Sequence, residues 1–450
     1  MELSEAARMA AEAAIAEGAG DAEAYAQRQT GREVRAHNGE VESLTAATER
    51  GLGVRAWIGG RSGYAFGVEL TEPGLRDIAA RAATAARIAD EDEHAAPPQS
   101  DGSYPQLDGL RDSAIAEWPA DRLVELALAV ERAATSLDPR VATVEQAVYA
   151  DSDDEVAIHS STGIRCSYAA SSSYAYVQAL AEGEASKETG LGLDLARSPD
   201  GLDPDAIGAE GAERAAAMIG ARKPESRSCP VVFDATAASS FAGLIGSGLG
   251  ADAVQRGRSP FAELIGEEVA SEAFVLHDDG LDADGLAASP CDDEGTPRER
   301  TALIEGGRLR TFLHDSYTAR RGGAERAGNA SRGGYQSPPS VGASNLEVGT
   351  GSLATPGLLA AAAEGVYVTD VAGLHSGVNP VTGVFSVGAS GRLIRGGELA
   401  EPVREFTIAS DLVSMLRSVR EAGAEARWVP FGGMVRTPPL LISEMTISGN

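Results

Sequence analysis

Apolar and polar positions change their period several times along the chain, and each change marks an element. LSEAARMAAEAAIAE carries apolar residues at helical spacing, which predicts a helix from Ser4 to about Glu17. From Ala22 to Tyr64 the pattern alternates, as in EVESLTAATERGLGVRAWI, and predicts strands. Asn38-Gly39 and Gly59-Gly60 interrupt it as two-residue hairpin signals, because both central positions of such a turn need φ > 0. Helical spacing returns over 72–89, with Pro73 in the first turn and Leu75, Ile78, Ala79 and Ala82 on one face. Residues 90–112 are acidic, proline-containing and without period, so they read as a linker or surface excursion.

A second helix follows Pro119, on Leu123, Leu126, Ala127, Val130 and Ala134. Strand-like runs come next at 141–149, 155–168 and 171–182, then a helix over 205–221 with Asp203 as its cap. Lys223-Pro224 through Cys229-Pro230 reads as a domain boundary. Beyond it the chain predicts a strand at 231–234, a small-residue helix at 236–249, and hairpins at 302–313 and 392–403 turned by Gly-Gly pairs. A helix over 411–422 and a strand over 440–447 close the chain. The fold class is α+β: residues 1–225 form a helix-covered antiparallel sheet domain, and residues 226–450 form a mainly β domain.

Length, 450 residues, allows more than one core. Net charge of −29 disfavours binding to phosphate backbones, so no nucleic-acid partner is expected. Arginine supplies the positive charge apart from Lys187 and Lys223, which fits either a GC-rich genome or a salt-rich cytoplasm. No run of eighteen apolar residues occurs, and the first residues carry acids where a signal peptide carries bases. No membrane association is expected. Cys166, Cys229 and Cys291 are far apart and odd in number, which predicts no disulfide framework and a reducing, cytoplasmic compartment.

The six histidines have no pairwise ligand spacing, so a helix-borne zinc pair is absent. There is no G-x-S-x-G elbow, and Cys291 has acidic neighbours that disfavour a thiolate. Gly246–Ala251 nominally fits G-x-G-x-x-A but follows a helix-like run, which argues against a dinucleotide site. Two features remain. Asp292-Asp293-Glu294 can bind a cation, a backbone N–H or an arginine. GLHSGVNPVTGVFSVGASG, from Gly373 to Gly391, is a glycine-rich pair of turns whose backbone could line a groove.

These features fall into a known order. DDEGTP (Asp292–Pro297), the Gly306-Gly307 hairpin and SNL (Ser344–Leu346) are followed by GVNPVTGVFSVGASG (Gly377–Gly391) and GGELAEPV (Gly396–Val403). FTIASDL (Phe406–Leu412) and the ending LLISEMTISGN complete the series. In this order the chain resembles the TldD/TldE (PmbA) family, and its second half is most similar to the PmbA/TldE branch. The resemblance implies a two-domain fold and a cytoplasmic peptidase built as a heterodimer. In that family the TldD-type subunit carries zinc on a His-Glu-x-x-x-His helix, plus a cysteine near its C-terminus. Registered by Arg256-Gly257-Arg258-Ser259, Ala242 and Ser247 stand at the histidine positions here and Gly243 at the glutamate, with room for a one-residue slip. No histidine or glutamate lies in 236–249, and no cysteine in 427–441.

The resemblance therefore implies a subunit with no catalytic residue and no metal of its own. Zinc is expected in a TldD-like partner, and the pair would act on a peptide substrate. Groove or interface candidates are Asn379, Pro380, Thr382, Gly383, Phe385 and Ser386, with Asp292, Asp293 and Glu294. Two other readings stand beside it. One is an autonomous hydrolase, alone or as a homodimer, using another nucleophile or a metal held by Asp292, Asp293, Glu294 and a histidine. The other is a non-enzymatic modulator of DNA gyrase, which the older family name suggests.

Overall fold

The computed structural model describes residues 1–100, 102–184 and 186–449. The first half of the chain builds one antiparallel sheet of six strands, in the order β3-β2-β1-β4-β5-β6. These are β1 (Asp21–His37), β2 (Glu40–Ile58), β3 (Arg61–Gly67), β4 (Thr143–Ser160), β5 (Arg165–Glu182) and β6 (Lys187–Ala196). Four helices cover the sheet: α1 (Leu3–Ala16), α2 (Glu72–Ile88), α3 (Ala120–Leu137) and α4 (Pro204–Ala217).

Strand alternation decides what lies on each face. Ala22, Ala24 and Ala26 of β1 join the core under α1 and α2, and Val34 and Ala36 join the core under α3 and α4. Tyr25, between them, points the other way. With Val156, Ile158, Ile164 and Cys166 it meets Cys291 and Tyr335 of the second half. One face of the sheet thus carries helices, and the other carries the second domain.

The second half has two six-stranded sheets. One contains β7 (Arg227–Phe233) between Gly365–Ala372 and Leu440–Ser448, and pairing of Glu398–Asp411 with Leu440–Ser448 closes strands into a ring. The other contains Leu276–Asp279, Asn345–Val348 and Met434–Thr437. Helix α5 (Ala235–Gly248) lies between them, with Phe241, Ala242 and Ile245 in the shared core.

Several expectations need correction. The run at 141–149 and the first part of the run at 155–168 are one strand, β4, because Asp151 in the acidic interval forms a buried pair with Arg32 at 2.5 Å and accepts from Tyr149 Oη at 2.6 Å, and the rest of that run joins 171–182 in β5. The turn falls later, at 161–164, where Gly163 adopts φ 100°, and β6 was not predicted at all. The helix expected over 411–422 ends at Arg417, and Val419–Ala422 instead pairs with the C-terminal strand. Cys166 and Cys291 form a disulfide between the two halves, while Cys229 alone is free. Sequence separation hid it, since the sheet face brings together residues 125 apart. The 90–112 segment is strapped to the second domain. Arg320 donates to the carbonyls of His94, Ala96 and Pro97, Tyr317 Oη to Asp92, and Tyr104 Oη to Gly295 O.

Candidate functional site

A cleft of about 1220 Å³ opens where β5 and β6 extend past the domain contact and face α5. Its sheet wall is mainly apolar, with Tyr174, Tyr176, Leu191 and Leu193 beside Gln178, Glu188 and Thr189, because alternate positions of β5 point away from the helices. The rings of Tyr174 and Tyr176 lie parallel, with centroids 6.4 Å apart. The opposite wall is α5, through Ser240, Gly243, Leu244 and Ser247, with Phe431, Gly432 and Met434 beside it.

Asp234 ends β7 and starts α5, its carboxylate accepting the Ala237 N–H at 2.7 Å. The same carboxylate is buried and pairs with Arg214 of α4 at 2.9 Å. Burial pushes its pKa up to about 6 against the pull of Arg214. Burial also raises Asp370 on the cleft wall. Glu188 of β6 and Arg404 of the second domain, both lining the cleft, form an ion pair at 2.7 Å between the domains, and His375 is exposed at the cleft margin.

The three positions drawn from the zinc helix are split. Gly243 and Ser247 line the cleft, whereas Ala242 is buried in the second-domain core. Ser247 Oγ donates to Gly243 O at 2.9 Å. Gly243 is pressed against Gly432, so that a Cβ there would lie 2.6 Å from Gly432 O. No side chain fits at that position without moving the 430–434 loop.

The glycine-rich segment divides as well. Leu374 and His375 line the cleft, but none of the six candidates in 379–386 does. Asn379 organises a turn, its Oδ1 accepting from Val381 N at 2.9 Å and Thr382 N at 3.2 Å. Gly383 closes that turn at φ 73°, a conformation that favours glycine. Asn379, Pro380, Thr382 and Ser386 are exposed outside the cleft. Phe385 is a core residue, 5.1 Å from the Phe241 ring, because the strand alternates inward there.

Asp292, Asp293 and Glu294 face no groove. Asp292 and Glu294 are fully buried. Asp292 accepts from the N–H groups of Glu294, Thr296 and Ala330, which fixes the loop. Asp293 accepts Arg332 N at 2.7 Å, and Glu294 pairs with Arg55 at 2.8 Å while accepting Ser316 N. Arg55 and Arg332 both also pair with Glu23 of β1, so the network ties the domains together. Burial, with Glu294 alongside, raises Asp292; burial also pushes Glu294 up, but Arg55 and the hydrogen bonds from Ser316 together hold it low. Among the described residues no group of three or more His, Cys, Asp or Glu is arranged to hold a metal ion.

The tyrosines, leucines and Phe431 that build the cleft were not singled out by sequence. Only the alternation in SSSYAYVQAL carried a trace of them.

Three family models match along this architecture, together spanning most of the chain. They are described as PmbA/TldA metallopeptidase domain 1 (residues 22–86), central domain (114–219) and C-terminal domain (226–449). The chain belongs to the PmbA/TldD metallopeptidase family. It is 28% identical to the metalloprotease PmbA homolog of Haemophilus influenzae, covering 100% of this chain and 96% of that one. It is 26% identical to the metalloprotease PmbA of Escherichia coli O157:H7, covering 97% and 94%. TldE from Thermococcus kodakarensis shares its fold at a TM-score of 0.91, with 22% identity and coverage of 99% and 100%. No helix among the described residues is long and apolar enough to cross a membrane.

Proposed function

We propose that the chain is the TldE/PmbA-type subunit of a two-subunit zinc peptidase. It pairs with a TldD-like subunit that supplies the zinc and the general base. Its own cleft completes the enclosure and offers an apolar wall to an extended peptide. On the family resemblance, the complex works in the cytoplasm.

The observation that carries this reading is the contact of Gly243 with Gly432 on the cleft-facing side of α5. Where the family's catalytic helix presents a glutamate, this helix is closed by backbone. Ala242 points into the core, and the Ser247 hydroxyl is bonded back to its own helix. This donor set does not fit zinc, whose ligands are imidazole, thiolate or carboxylate.

Co-expression with a TldD-like protein, size-exclusion chromatography and a peptide-cleavage assay test the proposal. A stoichiometric complex that is active while this chain alone is inactive and zinc-free is the expected result. Chelator-sensitive cleavage by the isolated chain with one zinc bound would overturn it. So would a partner that is fully active alone and forms no complex.

A further inference from the structure

The cleft between the sheet wall and α5 holds one charge that no partner offsets. Glu188, Arg214, Asp370 and Arg404 are the charged side chains lining it, with His375 at its margin. Glu188 and Arg404 pair with each other at 2.7 Å. Arg214 is taken up by Glu210 through Nε at 3.1 Å, by Asp234 through Nη1 at 2.9 Å and by Thr236 Oγ1 through Nη2 at 3.5 Å. Among the described residues no cation forms an ion pair with Asp370. The hydrogen bond it receives comes from the N–H of the next residue, Val371.

Backbone geometry puts that carboxylate in the cleft. In the strand Gly365–Ala372, Val366 and Val368 are fully buried in the second-domain core. Strict alternation would give only every second residue to one side. Pairing with Val384–Arg395 slips instead between Val368 and Asp370, which makes Thr369 an extra residue. Thr369, Asp370 and Val371 then all line the cleft. Asp370 is exposed to that space, with enough protein around it for burial to raise its pKa. The sheet wall supplies apolar surface. Tyr174 is 38% exposed, its ring parallel to that of Tyr176, and Leu191 and Leu193 stand on neighbouring β6. At about 1220 Å³ the space exceeds what one small molecule needs and suits a short stretch of extended chain.

We propose that this cleft selects peptides that combine apolar side chains with a cationic group, the apolar part lying on Tyr174 and Tyr176 and the cation meeting Asp370. The inference rests on the reading of the cleft as a peptide groove. A lysine or arginine side chain and a peptide's terminal ammonium share the required chemistry, a cation with N–H donors for a carboxylate. An anionic group is disfavoured on two counts. Inside the cleft it would face Asp370, and the net charge of −29 repels it before it arrives.

Fluorescence anisotropy on the full chain at about 0.15 M salt tests this with three pentapeptides of alanine and phenylalanine, each carrying an uncharged dye on the C-terminal amide. The first is N-acetylated with a central lysine, and the second has norleucine in place of that lysine. The third is the norleucine peptide with a free N-terminus. The first, the third or both should bind about fivefold more tightly than the second, and their order identifies the source of the cation. Asp370→Asn should erase that difference and leave the second peptide unaffected, whereas Tyr176→Ala should weaken all three alike. Equal affinity for the three peptides overturns the proposal, as does no binding at all by wild type. So does a preference that survives Asp370→Asn, or a Tyr176→Ala variant that binds as wild type does. Should Asp370→Asn fail to fold, Asp370→Ser is read in its place. Size-exclusion chromatography with a TldD-like subunit, on the same preparations, keeps the two readings apart. A complex formed by a chain without charge preference defeats this inference alone, and a chain with the preference but no complex defeats only the subunit reading.

Discussion

Gly243 and Gly432 meet backbone to backbone at the wall of the cleft, with a Cβ on Gly243 placed 2.6 Å from the Gly432 carbonyl oxygen and 2.7 Å from its Cα. Gly243→Glu therefore has to displace the loop that carries Phe431. Overpacking of this kind costs about 1–3 kcal/mol, and the buried carboxylate adds to it. Chemical denaturation should show the loss. The triple change Ala242→His, Gly243→Glu, Ser247→His should not bind zinc stoichiometrically, since Ala242 faces the core. Metal analysis after dialysis checks it.

Arg55 serves two buried carboxylates, Glu23 at 2.6 Å and Glu294 at 2.8 Å, from opposite domains. Arg55→Met leaves Glu294 with no cation and Glu23 with Arg332 alone. Breaking a buried pair from one side costs about 3–5 kcal/mol. Arg8→Met, which removes exposed pairs to Glu5 and Glu12, should leave stability essentially unchanged. Parallel urea titrations of the two variants separate the cases.

The Cys166–Cys291 disulfide closes a loop of 125 residues between buried positions. Loop-closure entropy for that length corresponds to about 5 kcal/mol at most. Wild type should lose stability on reduction, and Cys166→Ser with Cys291→Ser should start low and ignore reductant. Denaturation midpoints with and without reductant, on both proteins, provide the check.

Local signals were legible in the sequence, and contacts across the domains were not. The Asn38-Gly39 and Gly59-Gly60 turns, the Asp203 cap and the helices on Leu75 and Leu123 stand where their patterns put them. Their causes lie within a few residues. Residues 150–154 fell outside the expected strands because the partner of Asp151, Arg32, is remote, and the 411–422 helix was overextended because Val419 is claimed by Ile442. The family order of DDEGTP and GVNPVTGVFSVGASG was plain, but order does not say which way a side chain points. Asp292 turned out to cap its own loop, and Phe385 to fill a core. The cleft was invisible for the same reason, since Tyr176, Leu244 and Phe431 come from three separate segments.

Asp278 is fully buried and accepts hydrogen bonds from Ser344 N, Ser344 Oγ and Asn329 Nδ2. Burial nonetheless pushes its pKa up to about 6, with Arg298 pulling the other way. In the unfolded chain an aspartate titrates near 4. The folded protein thus binds the proton more tightly, so this group stabilises the fold below about pH 4, and that contribution is lost as pH rises to about 6. Asp278→Asn removes the titration. The stability of wild type relative to the variant should therefore be greatest near pH 4 and fall by about 2–3 kcal/mol by pH 6, then level off. Urea denaturation of both proteins across that range measures the difference directly. A difference that stays flat, or grows with pH, would mean that the three donors hold the carboxylate ionised despite its burial.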